Sequence, residues 1–189
     1  MANEQRLCYT MTKVPDHYVS VVRVPEGMVM YPGQMVSAEV IDTGIDGNFQ
    51  VRVPSAPTAD NIKTDIMGIV VNGGFENLPD GRRPDGQPDF TKYNFIAGEV
   101  ATIIWLLPKV MVYISDDCVV SGGLTGDDSD VGKFITPTAT NMTPTGTETK
   151  PAAGAVKSYC KIFQKKATRS GGMFGAGFIS GNVCEVVNQ

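Results

Sequence analysis

Val36-Ser37-Ala38-Glu39-Val40 and Phe49-Gln50-Val51-Arg52-Val53, with Thr43-Gly44-Ile45-Asp46-Gly47 between them, decide the fold class of this chain. Val36, Ala38 and Val40 alternate with Ser37 and Glu39, the period-two pattern of a strand with one face in a core. Phe49, Val51 and Val53 alternate with Gln50 and Arg52 in the same way. An Asp-Gly pair accepts the positive φ that a tight hairpin turn needs, so the two segments read as an antiparallel hairpin. Further strands are expected from near-continuous apolar, β-branched runs at residues 66–71, 100–107 and 110–114, which suit strands covered on both faces. Shorter candidates are residues 18–24, 28–31, 131–135 and 183–187.

The surrounding text agrees. The chain has 21 glycines and 12 prolines in 189 residues, and its longest span free of both is the sixteen residues 155–170. Long helices are therefore scarce, and eight to eleven short strands at this spacing predict an all-β fold, a single antiparallel β-barrel or sandwich with long irregular loops. Within residues 155–170, Lys157, Lys161 and Lys165 fit one face of a strand or of a helix; the strand, with Val156, Cys160 and Ile162 inward, is favoured by its β surroundings. The expected organisation is an extended N-terminal arm at residues 1–14 and a single β domain at 15–189. Two stretches resist the strand pattern. Residues 73–94 form a polar, turn-dense insertion around Pro79-Asp80-Gly81-Arg82-Arg83-Pro84-Asp85-Gly86. Residues 137–154 are a Thr/Pro/Gly/Ala tract, expected to be a loop, either a linker or a segment ordered by a neighbour.

Composition narrows the function. A hydrophobic fraction of 42% supports a core. A net charge of −4 is too mild to indicate nucleic acid as a partner. The single histidine, His17, removes most zinc, triad and histidine-relay chemistry and reads as a structural or surface residue. No basic region followed by an apolar one opens the chain, and no apolar run is long enough to span a bilayer, so neither export nor a membrane is expected. Cys8, Cys118, Cys160 and Cys184 contain no Cys-x-x-Cys pair and are expected as four reduced thiols, with Cys160 and Cys184 buried in strands.

Each motif that could carry chemistry has a plainer reading. Asp127-Asp128-Ser129-Asp130, with Asp116-Asp117 nearby, lacks the spacing of a calcium loop and reads as a solvated turn. Lys157, Lys161, Lys165, Lys166 and Arg169 read as a solvated face or a patch for an acidic protein partner. Ser170-Gly171-Gly172-Met173-Phe174-Gly175-Ala176-Gly177-Phe178 is similar to the glycine-rich closing motif of trimeric dUTPases. That family's Ala-Gly-x-Asp segment and Asp-Tyr-Arg-Gly-like turn are both missing. The plainer reading is a flexible glycine-rich turn with Met173, Phe174 and Phe178 packing on the barrel or a neighbour. No catalytic residue, metal ligand or cofactor is expected, and the chain is read as no enzyme.

Four other segments resemble the barrel of tailed-bacteriophage head decoration, or capsid cement, proteins. They are Phe95-Ile96-Ala97-Gly98-Glu99-Val100-Ala101, Val110-Met111-Val112-Tyr113-Ile114-Ser115, Val119-Val120-Ser121-Gly122-Gly123 with Val131-Gly132-Lys133-Phe134-Ile135, and Gly177-Phe178-Ile179-Ser180-Gly181-Asn182-Val183-Cys184-Glu185-Val186. In that family a turn of the Gly-Glu-x-Val type feeds one strand and a Val-Gly dipeptide starts another. The resemblance implies a structural virion protein on the capsid surface, assembled in the host cytoplasm as a homotrimer and bridging copies of the major capsid protein. Alternatives are a trimeric dUTPase-like nucleotide hydrolase and a receptor- or carbohydrate-binding module of a virion fibre. Partner contacts are expected at Leu7, Tyr9 and Met11 of the arm, Arg82, Arg83, Phe90 and Tyr93 of the insertion, and Met173 and Phe174.

Overall fold

The structure, a computed structural model, describes residues 6–40, 52–72, 94–169 and 178–189. It is all-β, with eleven strands and one short helix among these residues. Five strands close a barrel in the order β2 (Val19–Arg23), β4 (Arg52–Ser55), β3 (Met35–Val40), β5 (Gly68–Val71) and β6 (Val100–Trp105). The other six form an antiparallel sheet in the order β1 (Cys8–Thr10), β7 (Met111–Ser115), β11 (Phe178–Asn188), β10 (Ser158–Arg169), β8 (Phe134–Thr138) and β9 (Asn141–Thr147). The expected single barrel or sandwich is thus a barrel with a second sheet packed on it. All barrel pairings are antiparallel except β2 with β4, which meet in parallel at Val22 and Arg52.

The decisive hairpin is present as a pair of strands. β3 and β4 run antiparallel, with Ser37 opposite Ser55 and Val40 opposite Arg52. Phe49, Val51 and the Asp46-Gly47 turn lie outside the described residues. The runs at 66–71 and 101–104 are buried on both faces because two cores meet at the barrel wall, while Val100 at the start of β6 is exposed. Val36, Val70, Ala101 and Ile103 point into the barrel with Val22, Met30 and Phe95. Met35, Ile69, Val71 and Ile104 point the other way, against Val112, Ile114, Cys160, Ile162, Cys184 and Val186 of the sheet. A strand between two cores has no solvent face, so it cannot alternate.

Three expectations are corrected. The tract at 137–154 is no linker: Phe134–Thr138 and Asn141–Thr147 pair as a hairpin, with Phe134 opposite Thr147. Threonine is a strong strand former, β9 lies at the sheet edge where proline is tolerated, and the Thr138 and Thr145 hydroxyls meet at 2.9 Å. The hairpin is ordered by its own chain, since Thr140 N–H donates to Pro57 O and Val120 N–H to Pro144 O. Residues 28–31 make only a bridge from Met30 to Phe95. The N-terminal segment, read as an arm, contributes β1 to the sheet, with Cys8 opposite Ile114 and Thr10 opposite Val112. The insertion at 73–93 lies outside the described residues.

On the far face of the sheet, Tyr113 crosses Gly181 and donates its hydroxyl to Ile179 O at 2.7 Å. A Cβ at Gly181 would stand 2.6 Å from the ring and 2.7 Å from Ile114 O, so only glycine fits under this fully buried tyrosine. Gly181→Ala is expected to lower stability by about 1–3 kcal/mol, read as a lower urea midpoint at unchanged slope.

Candidate functional site

A groove of about 420 Å³ lies beside the N-terminal segment. β1 is the edge strand of the six-stranded sheet. One edge pairs with β7; on the other, Asn72 N–H donates to Cys8 O at 2.8 Å and Cys8 N–H to Asn72 Oδ1 at 2.5 Å. Beyond β1, Met11 N–H donates to Met111 O at 2.8 Å, which carries residues 11–14 along the groove. Tyr9, Met11, Val14, Val19, Val71 and Ile104 are among the residues that line it. Its lining also includes Thr10, Thr12, Lys13, Asn72 and Thr102.

Leu7, Tyr9 and Met11 alternate onto one face of this segment with graded burial. Leu7 is 1% exposed and packs with Tyr113, Ile179 and Val183 inside the chain's own fold, which leaves it no surface for a partner. Tyr9 is half-buried and stacks on Tyr113 with ring centroids 4.9 Å apart, while Met11 is 36% exposed. Arg82, Arg83, Phe90, Tyr93, Met173 and Phe174 lie outside the described residues. His17 is exposed and meets Tyr18 edge-on.

The acidic turn departs from its solvated reading at one residue. Asp130 is fully buried; its carboxylate accepts from Thr125 N–H at 2.9 Å, Gly126 N–H at 2.7 Å and Lys133 Nζ at 3.0 Å. Burial pushes the Asp130 carboxyl up, but these donors outweigh it and hold it at about 2. The basic stretch departs in the same way. β10 is a strand, yet a bulge between Ile162 and Gln164 adds one residue and turns Lys165 inward opposite Asn182. Lys165 Nζ then lies 2.7 Å from Asp116 Oδ1, 3.1 Å from Asn182 Oδ1 and 3.9 Å from Asp130 Oδ2. Lys161 and Lys166 remain exposed. The bulge depends on strand pairing across the sheet, and no local pattern announces it.

All four cysteines are free and buried in the core between barrel and sheet. Burial pushes the Cys160 thiol up to about 12 and the Cys118 thiol to about 11, the latter partly offset by the Ser115 hydroxyl 3.2 Å away. These are inert thiols, unlike the low-pKa nucleophiles of redox sites. Among the described residues no group of three or more His, Cys, Asp or Glu side chains is placed to hold a metal ion, and no helix is long and apolar enough to cross a membrane. No family model matches the chain, and neither does any curated protein or solved structure.

Two measurements check this picture. At pH 8, alkylation of the native protein should proceed only as fast as the chain unfolds, and denaturant should release four reactive thiols at once. Asp130 titrates in the folded protein below its ordinary value of 3.8, so its contribution is complete above about pH 5 and is lost as pH falls towards 2. That contribution is about 2 kcal/mol. Urea midpoints followed from pH 6 to pH 2 should therefore fall more steeply for the natural protein than for Asp130→Asn.

Proposed function

We propose that this chain is a structural virion protein of the tailed-phage head decoration type, which binds the outer surface of an assembled capsid and bridges major capsid subunits. One observation carries the reading: the segments that resemble this family lie on the strands and turns that build the fold. Gly98, at φ 86°, ends the turn that leads through Glu99 into β6, and the Glu99 carboxylate accepts from Ile96 N–H at 2.9 Å to close it. Gly132, at φ 91°, precedes β8 in the Val-Gly position. Residues 110–115 supply β7, and 178–186 lie in β11. Positive φ is the backbone state that favours glycine at both turns.

The groove along residues 9–14 is where such a protein would grip. A segment of a capsid subunit laid against Tyr9, Met11 and Val14 would bury apolar area on a wall already fixed by β1. Because the protein would bind the assembled shell and not its loose subunits, each copy would stabilise the shell by its binding free energy. Trimerisation would multiply that grip through effective concentration.

Removing residues 2–12 would strip β1 from the sheet, so point substitutions test the contact. Purified heads lacking the protein should co-sediment with the natural chain and saturate. Met11→Asp, at an exposed position, should keep its unfolding midpoint yet weaken attachment by about tenfold or more, the scale of one interface hot spot. Absence of binding to heads would overturn the decoration reading. Unchanged binding by Met11→Asp would remove the groove from it.

A further inference from the structure

Lys165, Asn182 and Asp116 form a constellation that ordinary ion pairing leaves underused. Asn182 lies on β11 opposite Lys165 on β10, and its side chain is fully buried. Its amide nitrogen donates to Asp116 Oδ1 at 2.9 Å and to Ile114 O at 3.4 Å, while its amide oxygen faces Lys165 Nζ at 3.1 Å. Asp116 Oδ1 also accepts from Lys165 Nζ at 2.7 Å, so one carboxylate oxygen touches both the amine and the amide nitrogen. The Lys165 side chain is 6% exposed. The neighbouring charges are otherwise engaged: Asp130 is held by Lys133, Thr125 and Gly126, and stands 3.9 Å from Lys165.

The geometry points to an intramolecular isopeptide bond between Lys165 Nζ and Asn182 Cγ, formed autocatalytically with Asp116 as the proton-transferring group. The pairing of β10 with β11 holds amine and amide together, which removes most of the entropic barrier to the reaction. A proton passes from the Lys165 ammonium to the Asp116 carboxylate oxygen 2.7 Å away, which leaves the amine nitrogen its lone pair. The amine nitrogen attacks Cγ and a C–N bond forms. Asp116 gives its proton to the departing amide nitrogen and takes one from the attacking nitrogen, so the Cγ–Nδ2 bond breaks and ammonia leaves. The Asp116 side chain, 32% exposed, marks the exit route for that ammonia. Lysine amine and asparagine amide become a secondary amide and ammonia, with no oxidant, reductant or cofactor. The bond is independent of what the protein attaches to.

Intact-mass measurement of the denatured full-length chain tests the proposal directly. The natural protein should weigh one ammonia less than its sequence. Lys165→Arg and Asp116→Ala should each have their full sequence mass. A tryptic digest of the natural chain should contain one branched peptide joining the segments around Lys165 and Asn182. Full sequence mass in the natural protein would overturn the proposal, whether or not the variants fold. Loss of ammonia that persists in Lys165→Arg would overturn it too, because the loss would then come from a succinimide elsewhere.

Discussion

Everything in this fold hangs on a barrel wall with two cores. Ile103 and Ile104 are neighbours in β6, yet one points into the barrel and the other into the interface with the sheet, and both are buried. Val70 and Ile69 in β5 repeat the arrangement, as do Val36 and Met35 in β3. Each such strand loses solvent on both faces, so its burial stabilises the barrel and the attachment of the sheet together. The polar ends of the interface are stitched as well, by Asn72 to Cys8 and by Met67 N–H to the Ser158 hydroxyl at 3.4 Å. Barrel and sheet therefore form one cooperative body, and β1 belongs to it.

That constraint explains which parts of the fold the sequence discloses. A continuous apolar run such as 100–107 identifies a doubly covered strand, because burial on two faces leaves a compositional mark. Alternation in 36–40 identifies β3, whose antiparallel partner is β4. What escapes is information held only in pairing. The threonines of 134–147 form strands because β8 and β9 find each other and the edge of β10, whereas the prolines among them read locally as breaks. The extra residue near Phe163, which leaves that ring 64% exposed and swings Lys165 inward, exists only in the register against β11. The candidate groove is half legible: an apolar N-terminal segment is visible in Leu7, Tyr9 and Met11, but not that its first side chain is spent on the chain's own core.

The same pairing logic places the Lys165–Asn182 cluster where the fold most needs a fixed point. β10 and β11 pair over eleven residue couples, from Ser158 with Asn188 to Arg169 with Phe178. Their flanking strands cover less: β7 pairs with β11 over Gly181–Glu185, and β8 pairs with β10 at Cys160 and Lys161. Past Gly181 the two strands, among the described pairings, have only each other. An isolated two-stranded ribbon is marginal in water, so its direction must be set where it leaves the sheet. Lys165 and Asn182 stand at that point on the inner face, and Tyr113 closes over Gly181 on the other, its hydroxyl within 3.3 Å of Lys166 O. A polar clamp on one face and an aromatic lock on the opposite one fix the ribbon's root from both sides. Packing alone secures one face; the other is secured by buried polar groups, whose unpaired state is too costly to leave the ribbon free to swing.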